Sequence, residues 1–388
     1  MMINRSKSCF IFIVLILCIS LIYGFISVNF NYYVNACDNI LASAKAMVVL
    51  EGNSNKILYS HNHNQKLPMA SLTKIITAIV AIENSQNLEE KVKVVDESVG
   101  IEGTSIYLTK GEELTLNELL LGLMLASGND SAVAIAYHIG GSEEKFVEMM
   151  NDFVKRVGAN NTSLSNPHGL DADNHYTTAY DLALITSYAL KNDDFARIVS
   201  TKRATISGNS KVEARYLKHK NKLLFSDEKC FGVKTGFTDN AGRCLVHATK
   251  QDDGMELITV VLNCGPMFEE ADRLNKLAVA NYKLIELVKP YNFVGTININ
   301  NGSNSQTNVA TIKGFKTVIK KDEEDKYSVE YDMPNTLEAP IKNGDIVGKV
   351  IVKHNNEIVF EENLISIDNV DNIDFKFMLD NILNKWYA

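Results

Sequence analysis

The pair of residues best suited to nucleophilic chemistry in this sequence is Ser71 and Lys74, three positions apart. They open an apolar segment, 71–83, whose hydrophobic residues recur every three or four positions and therefore predict a helix. On that helix both side chains emerge on one face. A serine hydroxyl attacks poorly until a neighbour accepts its proton, and a lysine can do so where its surroundings disfavour the ammonium form. Ser71 is thus the predicted nucleophile and Lys74 the predicted general base.

Serine and lysine recur at the same spacing in two other places, 142–145 and 226–229. Ser142 has the position of a helix cap, which directs Lys145 towards water. Ser226 lies in an acidic loop with no apolar helix behind it. The context therefore favours Ser71 over both copies.

A second polar motif, Ser127-Gly128-Asn129, interrupts two apolar helices and would hold a polar loop over a cleft. The Ser127 hydroxyl could relay a proton towards a leaving group, and the Asn129 amide could bind a peptide carbonyl. The alternative is an ordinary turn between helices, which Gly-Asn serves well. The same triplet also occurs at 207–209, so this motif is weak by itself.

The third motif, Lys234-Thr235-Gly236, occurs once and lies on a predicted strand. A lysine and a hydroxyl beside a glycine suit a ligand carboxylate, because the ammonium gives a charge-assisted hydrogen bond and glycine permits close approach of the backbone. The alternative for an isolated motif of this kind is a solvated strand end.

In this order the three motifs resemble the signature of serine penicillin-recognising enzymes. The Ser-Gly-Asn form of the middle motif is similar to that of the low-molecular-mass D-alanyl-D-alanine carboxypeptidases, the penicillin-binding proteins of peptidase family S11. The resemblance covers nearly all of the chain after the leader. Further matching stretches are Asn166–Leu170, 232–238, Ala241-Gly242 with Cys244-Leu245-Val246, and Ala339–Gly344.

The resemblance implies an enzyme that removes the terminal D-alanine from peptidoglycan stem pentapeptides by acyl transfer and that β-lactams inhibit. Ser71 would attack the carbonyl between two D-alanines, Lys74 would accept its proton, and water would later release the shortened peptide. The enzyme would need no metal and no other cofactor.

The resemblance also implies how substrate is bound. Lys234 and Thr235, with Gly236 beside them, would hold the terminal carboxylate of the substrate. The backbone N–H groups of Ser71 and Phe237 would form the oxyanion hole. Some family members carry histidine where this chain has Phe237. The backbone N–H of Phe237 can still contribute to the oxyanion hole, but any role of the histidine side chain is absent here.

Two other functions would use parts of the same sequence pattern. A class A-like β-lactamase would carry a glutamate on the loop between the second and third motifs, and none occurs from 158 to 181. A catalytically silent wall-binding homologue would have kept the fold alone, and three intact motifs oppose it.

A Ser-His-Asp triad through His168 would require a nucleophile elbow that the sequence lacks, so a loop histidine with a structural role is expected.

The elements around the motifs predict an α+β fold, a β-lactamase-like transpeptidase domain in which helices flank a mainly antiparallel sheet. Strands are expected at 46–51, 56–60, 232–237, 244–248 and 257–263, and helices at 71–83, 115–127, from 130, from 142 and at 178–190. Short alternating strands from 296 to 367 predict a separate all-β domain. The predicted domain ranges are 38–289 and 290–370.

Both ends of the chain carry targeting signals. Arg5 and Lys7 precede an apolar run, and residues 1–36 predict a signal peptide that ends in Val-Asn-Ala. An uncleaved signal anchor is the alternative, because the run could span a bilayer. Either way, the body of the protein is expected at the outer face of the cytoplasmic membrane or in the cell wall. Residues 374–388 predict an amphipathic helix that lies in the membrane surface, or else packs on the β domain.

Composition excludes other classes. The sequence has 39 basic and 47 acidic residues, a net charge of −8, which opposes binding to nucleic acid. Cys230, Cys244 and Cys264 show no CxxC spacing and no histidine at ligand spacing, so they predict no metal site. They are expected to be small core residues, with a disulfide between two of them as the alternative that the sequence leaves open.

Overall fold

The computed structural model describes residues 38–39, 43–209, 211–375, 377–379, 383 and 386. The described chain divides after Ala280 into two compact units. The predicted leader, 1–36, lies outside the described residues. Within those residues, no helix is long and apolar enough to cross a membrane.

Among the described residues of the first unit there are ten strands, and six of them form its central sheet. The strands are β1 (Asp38–Asn39), β2 (Ala46–Glu51), β3 (Ile57–His61), β4 (Lys91–Lys93), β5 (Glu113–Thr115), β6 (Arg203–Asn209), β7 (Val212–Lys218), β8 (Cys230–Thr238), β9 (Gly242–Lys250) and β10 (Glu256–Leu262). The sheet order is β1-β3-β2-β10-β9-β8, and all neighbours except β1 and β3 are antiparallel. Strand β2 is buried at every position, because the sheet is covered on both faces.

The helices of the first unit surround this sheet. They are α1 (Thr73–Asn84), α2 (Leu116–Leu121), α3 (Asn129–Gly140), α4 (Glu143–Arg156), α5 (Ala179–Ala189), α6 (Asp193–Ser200), α7 (Leu223–Ser226) and α8 (Met267–Asn281). Helix α1 is buried from residue 73 to 82, as expected of a helix that is hydrophobic on all sides. The functional residues at its head are therefore held by a rigid core element.

Most predicted elements of the first unit are confirmed, with small shifts of their ends. The capping box of Thr115 and Glu118 forms, and Ser142 caps α4. The helix predicted from 71 begins with a 3-10 turn, Ala70–Leu72, and the segment Gly122–Ala126 before the second motif is a π-helix. The sequence did not predict the short strands β1, β4 and β5 or the helices α6, α7 and α8. It also did not predict the hairpin of β6 and β7, whose mostly polar strands bury few side chains.

The second unit is all-β, as predicted. Its strands are β11 (Tyr282–Val288), β12 (Phe293–Asn300), β13 (Gln306–Thr311), β14 (Phe315–Lys320), β15 (Tyr327–Asp332), β16 (Thr336–Glu338), β17 (Ile346–His354) and β18 (Glu357–Ser366). Six of them form a sheet in the order β15-β17-β18-β13-β12-β16. Strand β11 pairs with β14, so this unit begins before residue 290.

Candidate active site

Ser71 lies in the 3-10 turn directly before α1. The preceding residue, Ala70, has a φ of 48°, in the left-handed region that alanine rarely adopts. Strand β8 approaches this turn closely at Gly236, where an added Cβ would lie 3.0 Å from the Met69 carbonyl oxygen and 3.2 Å from the Ser71 nitrogen. A side chain at position 236 would push the strand away, so glycine brings the third motif against Ser71, the predicted nucleophile.

The Lys74 side chain is fully buried and points at Ser71. Its Nζ donates to Ser71 Oγ at 2.9 Å, to Asn129 Oδ1 at 2.6 Å and to the His168 carbonyl oxygen at 2.5 Å. These three acceptors match the three N–H groups of an ammonium. The first and second motifs therefore meet at one nitrogen.

The pKa of Lys74 lies well below its ordinary value. Burial is the largest cause, because it disfavours the charged form. The nearby charges of Lys234 and Lys220 lower this pKa further, while Asp130 opposes them. A lysine in this environment can be neutral and accept a proton from the serine it contacts.

Lys234, also fully buried, joins the third motif to the second. Its Nζ donates to Ser127 Oγ at 2.9 Å and to the Thr235 carbonyl oxygen at 2.8 Å. Burial first, and then the charge of Lys220, lower the pKa of Lys234 to about 7. Because the Ser127 oxygen accepts from Lys234, its own proton is free to be donated elsewhere.

Two adjacent residues at the start of α3 fasten the segment 102–108. Asn129 Nδ2 donates to the Glu102 carbonyl oxygen at 2.6 Å, while its Oδ1 accepts from Lys74. The Asp130 carboxylate accepts from the backbone N–H of Leu108 at 3.0 Å. The Asn129 amide is thus engaged at both ends by the protein, and its binding to a substrate carbonyl stays a prediction.

The remaining predicted residues lie on the same strand, β8. Thr235 is almost buried, whereas the Phe237 side chain is 61% exposed. Thr238 Oγ1 donates to Asp171 Oδ1 at 2.9 Å, which ties the strand end to the loop before α5. The structure thus brings all three motifs together, with Phe237 beside the Ser71 turn.

The other copies of the motifs lie elsewhere. The Ser142 hydroxyl accepts the Lys145 backbone N–H at 3.3 Å as a helix cap. Ser226 ends the short helix α7, and Ser207 donates to a carboxylate oxygen of Glu118 at 2.5 Å. The choice of Ser71 by sequence context agrees with this arrangement.

The sequence analysis missed the part of the site that the loop 165–175 supplies. At Gly169, where φ is 90°, an added Cβ would lie 2.0 Å from the Ala70 carbonyl oxygen, so only glycine can pack there. The His168 imidazole is a structural group, since burial and the charge of Lys74 lower its pKa to about 3. The matching stretch Asn166–Leu170 was the one signal in the sequence that pointed to this loop.

The described cysteines are not part of this site. Cys230, Cys244 and Cys264 are buried and free. Among the residues that the structure describes, no group of three histidine, cysteine or acidic side chains is placed to hold a metal ion.

Two family models match the chain, one in each unit. Residues 34–265 match the model described as D-alanyl-D-alanine carboxypeptidase. Residues 282–372 match the model described as penicillin-binding protein 5, C-terminal domain. The first match covers more than half of the chain.

Individual relatives agree with these models. The chain is 30% identical to the D-alanyl-D-alanine carboxypeptidase DacF of Bacillus subtilis over 88% of its length and 90% of the relative's. It is 30% identical to the carboxypeptidase DacC of Escherichia coli over 84% of each chain. The crystal structure of penicillin binding protein 5 from Haemophilus influenzae matches with a TM-score of 0.70 and 26% identity, over 87% of this chain and 100% of that one. The chain therefore belongs to the D-alanyl-D-alanine carboxypeptidases of peptidase family S11, serine-type hydrolases that act on the cell wall.

Proposed function

We propose that this carboxypeptidase works through a covalent acyl-enzyme on Ser71, and that β-lactams acylate the same hydroxyl. The observation that carries the proposal is the 2.9 Å contact between Ser71 Oγ and the Nζ of Lys74, a lysine with no carboxylate partner among the described residues. Because burial keeps the pKa of Lys74 low, the lysine can act as the general base that a serine nucleophile needs.

The proposed reaction has two steps. Ser71 Oγ bonds to the carbonyl carbon of the penultimate D-alanine while its proton moves to Lys74. The peptide C–N bond then breaks, Ser127 passes a proton to the leaving amine of D-alanine, and the proton taken up by Lys74 restores the Ser127 hydroxyl. Backbone N–H groups of Ser71 and Phe237 stabilise the oxyanion. Water then attacks the ester, releases the shortened peptide and restores the Ser71 hydroxyl.

We assign recognition of the substrate's terminal carboxylate to Lys234 and Thr235. Lys234 is a buried lysine whose partners among the described residues are a hydroxyl and a carbonyl, with no carboxylate in ion-pair contact. A buried charge is costly without an opposite charge, so a substrate carboxylate would complete its environment. Gly236 lets strand β8 lie against the Ser71 turn, which keeps Lys234 and Thr235 close to Ser71.

Release of free D-alanine from a synthetic peptide that ends in Lys-D-Ala-D-Ala tests the activity. The wild type should release D-alanine and Ser71→Ala should not. Intact mass and peptide mapping after penicillin treatment should place one adduct between Ala70 and Lys74. An adduct on Ser142 or Ser226 would contradict the assignment, and the absence of both release and adduct would indicate a silent homologue.

We further propose that residues 1–36 direct export and that 374–388 bind the membrane surface, while the boundary between the two domains lies near residue 281 rather than at the predicted 289/290. Membership of this family is consistent with export. The described residues of the last segment include helical Phe375 and Trp386, which are 77% and 85% exposed. Such exposure supports an interfacial helix, because apolar side chains at a helix surface gain by insertion into lipid.

A flotation assay with phospholipid vesicles tests the anchor. The mature protein should float with the vesicles, and a variant that ends at residue 373 should stay in the supernatant. Equal partitioning of the two forms would show that the segment packs on protein instead.

A further inference from the structure

One loop holds the head of α1 through three hydrogen bonds. The contacts are Thr73 Oγ1 with His175 Nε2 at 2.8 Å, Lys74 Nζ with the His168 carbonyl oxygen at 2.5 Å, and Thr77 Oγ1 with the Pro167 carbonyl oxygen at 2.6 Å. The bond to Lys74 belongs to the site already described. The hydrogen bond from His175 goes to Thr73, the residue directly before Lys74, and the proposed reaction does not use the Thr73 side chain.

The hydrogen bonds of His175 define which ring nitrogen carries its proton. The backbone N–H of Ser165 donates to Nδ1 at 3.0 Å, so Nδ1 has the lone pair. In the neutral ring the proton is then on Nε2, and Nε2–H donates to Thr73 Oγ1. Burial supports the neutral form, since it lowers the pKa of His175 to about 4.

Thr73 passes this constraint to the nucleophile turn. Its hydroxyl has one proton, and because the oxygen accepts from His175 that proton points at the Ala70 carbonyl oxygen, 2.9 Å away. Ala70 is the left-handed residue that directs Ser71 towards Lys74. Thr73 and Ala70 are both buried, so water does not replace this bond.

We propose that His175 is a positioning residue for Ser71. Through the Thr73 hydroxyl it holds the Ala70 carbonyl, and so maintains the turn that places Ser71 Oγ within 2.9 Å of Lys74 Nζ. The inference rests on the proposed role of Ser71 as nucleophile. His175 contacts neither the reacting atoms nor the substrate in this scheme.

Paired substitutions separate positioning from general stability. His175→Gln can keep a donor near the place of Nε2, whereas His175→Asn is too short to reach Thr73. Thr73→Val removes the hydroxyl at nearly constant volume, and Thr73→Ser keeps it. Thr77→Val is the matched control, because Thr77 lies one helical turn further on and bonds the same loop without touching the Ala70 carbonyl.

The measurements are the single-turnover rate of penicillin acylation, kcat and KM for D-alanine release, and the melting temperature. His175→Asn and Thr73→Val should lower the acylation rate and kcat by roughly ten-fold or more, with KM within about two-fold. His175→Gln and Thr73→Ser should stay within about three-fold of wild type. Thr77→Val should lower the melting temperature as much as Thr73→Val and leave the acylation rate within about two-fold.

The double variant of His175→Asn and Thr73→Val should be no slower than Thr73→Val alone, because both remove one chain of contacts. The inference is overturned if Thr73→Val and Thr77→Val behave alike, if Gln is no better than Asn at 175, or if KM alone rises. Should Thr73→Val fail to fold, the comparison of Gln with Asn decides. If penicillin still labels the Ser71→Ala variant, the proposed function is contradicted. If Ser71→Ala is not labelled but the His175 variants are acylated at the wild-type rate, only the inference about His175 is contradicted.

Discussion

Lys74 and Lys234 are both fully buried in the first unit, yet their nitrogens have different surroundings. Lys74 Nζ has three acceptors, one of which is the Ser71 hydroxyl. Lys234 Nζ bonds to Ser127 and to the Thr235 carbonyl, which leaves one ammonium N–H without a partner among the described residues. The first environment suits a lysine that exchanges a proton with its neighbour. The second suits a lysine that keeps its charge for an incoming anion.

The two lysines are also coupled through their charges. Lys234 lowers the pKa of Lys74, and burial brings the pKa of Lys234 itself to about 7. Because a positive charge on one disfavours a positive charge on the other, a protonated Lys234 is most compatible with a neutral Lys74. Acylation needs that same distribution of protons, with a base beside Ser71 and a cation beside the substrate carboxylate.

The largest expected effect comes from removing the base. Lys74→Met keeps length and burial but cannot accept a proton, so the penicillin acylation rate should fall by about 10²- to 10⁴-fold. The control is Lys145→Met, which changes the exposed lysine of the Ser142 copy and should leave the rate at the wild-type level. If the penicillin acylation rate of Lys74→Met equals that of the wild type, another group must act as the base, and Lys234 is the next candidate.

A smaller loss is expected from removing the proposed anion partner. Lys234→Gln deletes a charge-assisted contact, which contributes about 1.5–3 kcal/mol, so kcat/KM should fall by roughly ten- to more than a hundred-fold. Amidation of the substrate's C-terminus should cost the wild type a comparable factor. The two losses should not add, since each removes the same contact. If the fold-losses in kcat/KM from Lys234→Gln and from amidation multiply when the two changes are combined, Lys234 acts on Lys74 or Ser127 rather than on the carboxylate.

The smallest expected effects are changes in the pH profile of kcat/KM, which distinguish the role of Lys74 from that of Lys234. Activity should fall towards acid as Lys74 becomes protonated, and towards alkali above about pH 7 as Lys234 loses its charge. In Lys234→Gln the alkaline limb should disappear. The acid limb should move to higher pH, because Lys74 loses a neighbouring charge that lowers its pKa. An alkaline limb that persists in this variant would assign it to a different group.

The sequence predicted those parts of the fold that depend on nearby residues. The capping box of Thr115 and Glu118 and the cap at Ser142 each join residues three positions apart, and both form. The π-helix at Gly122–Ala126 carries no such local signal, and the sequence predicted an ordinary helix there.

The sequence predicted the part of the candidate site that the three motifs supply, but not the contacts that other segments make with them. The bond between Lys74 and Asn129 spans 55 positions; the resemblance placed their two motifs in one site but did not predict this bond. The bond between Thr73 and His175 spans 102 positions and joins no two motifs. Periodicity indicates which side of a helix is buried, but not which distant loop covers that side, so the contacts of His175 and Gly169 were found only in the fold.

The start of α3 links two parts of the site that otherwise look independent. Asn129 holds Lys74 with one end of its amide and the segment 102–108 with the other, while Asp130 fastens that same segment. Because one amide makes both bonds, a displacement of Asn129 would loosen the segment and remove an acceptor from Lys74 at the same time. The order of the segment 102–108 and the environment of Lys74 are therefore linked through a single side chain.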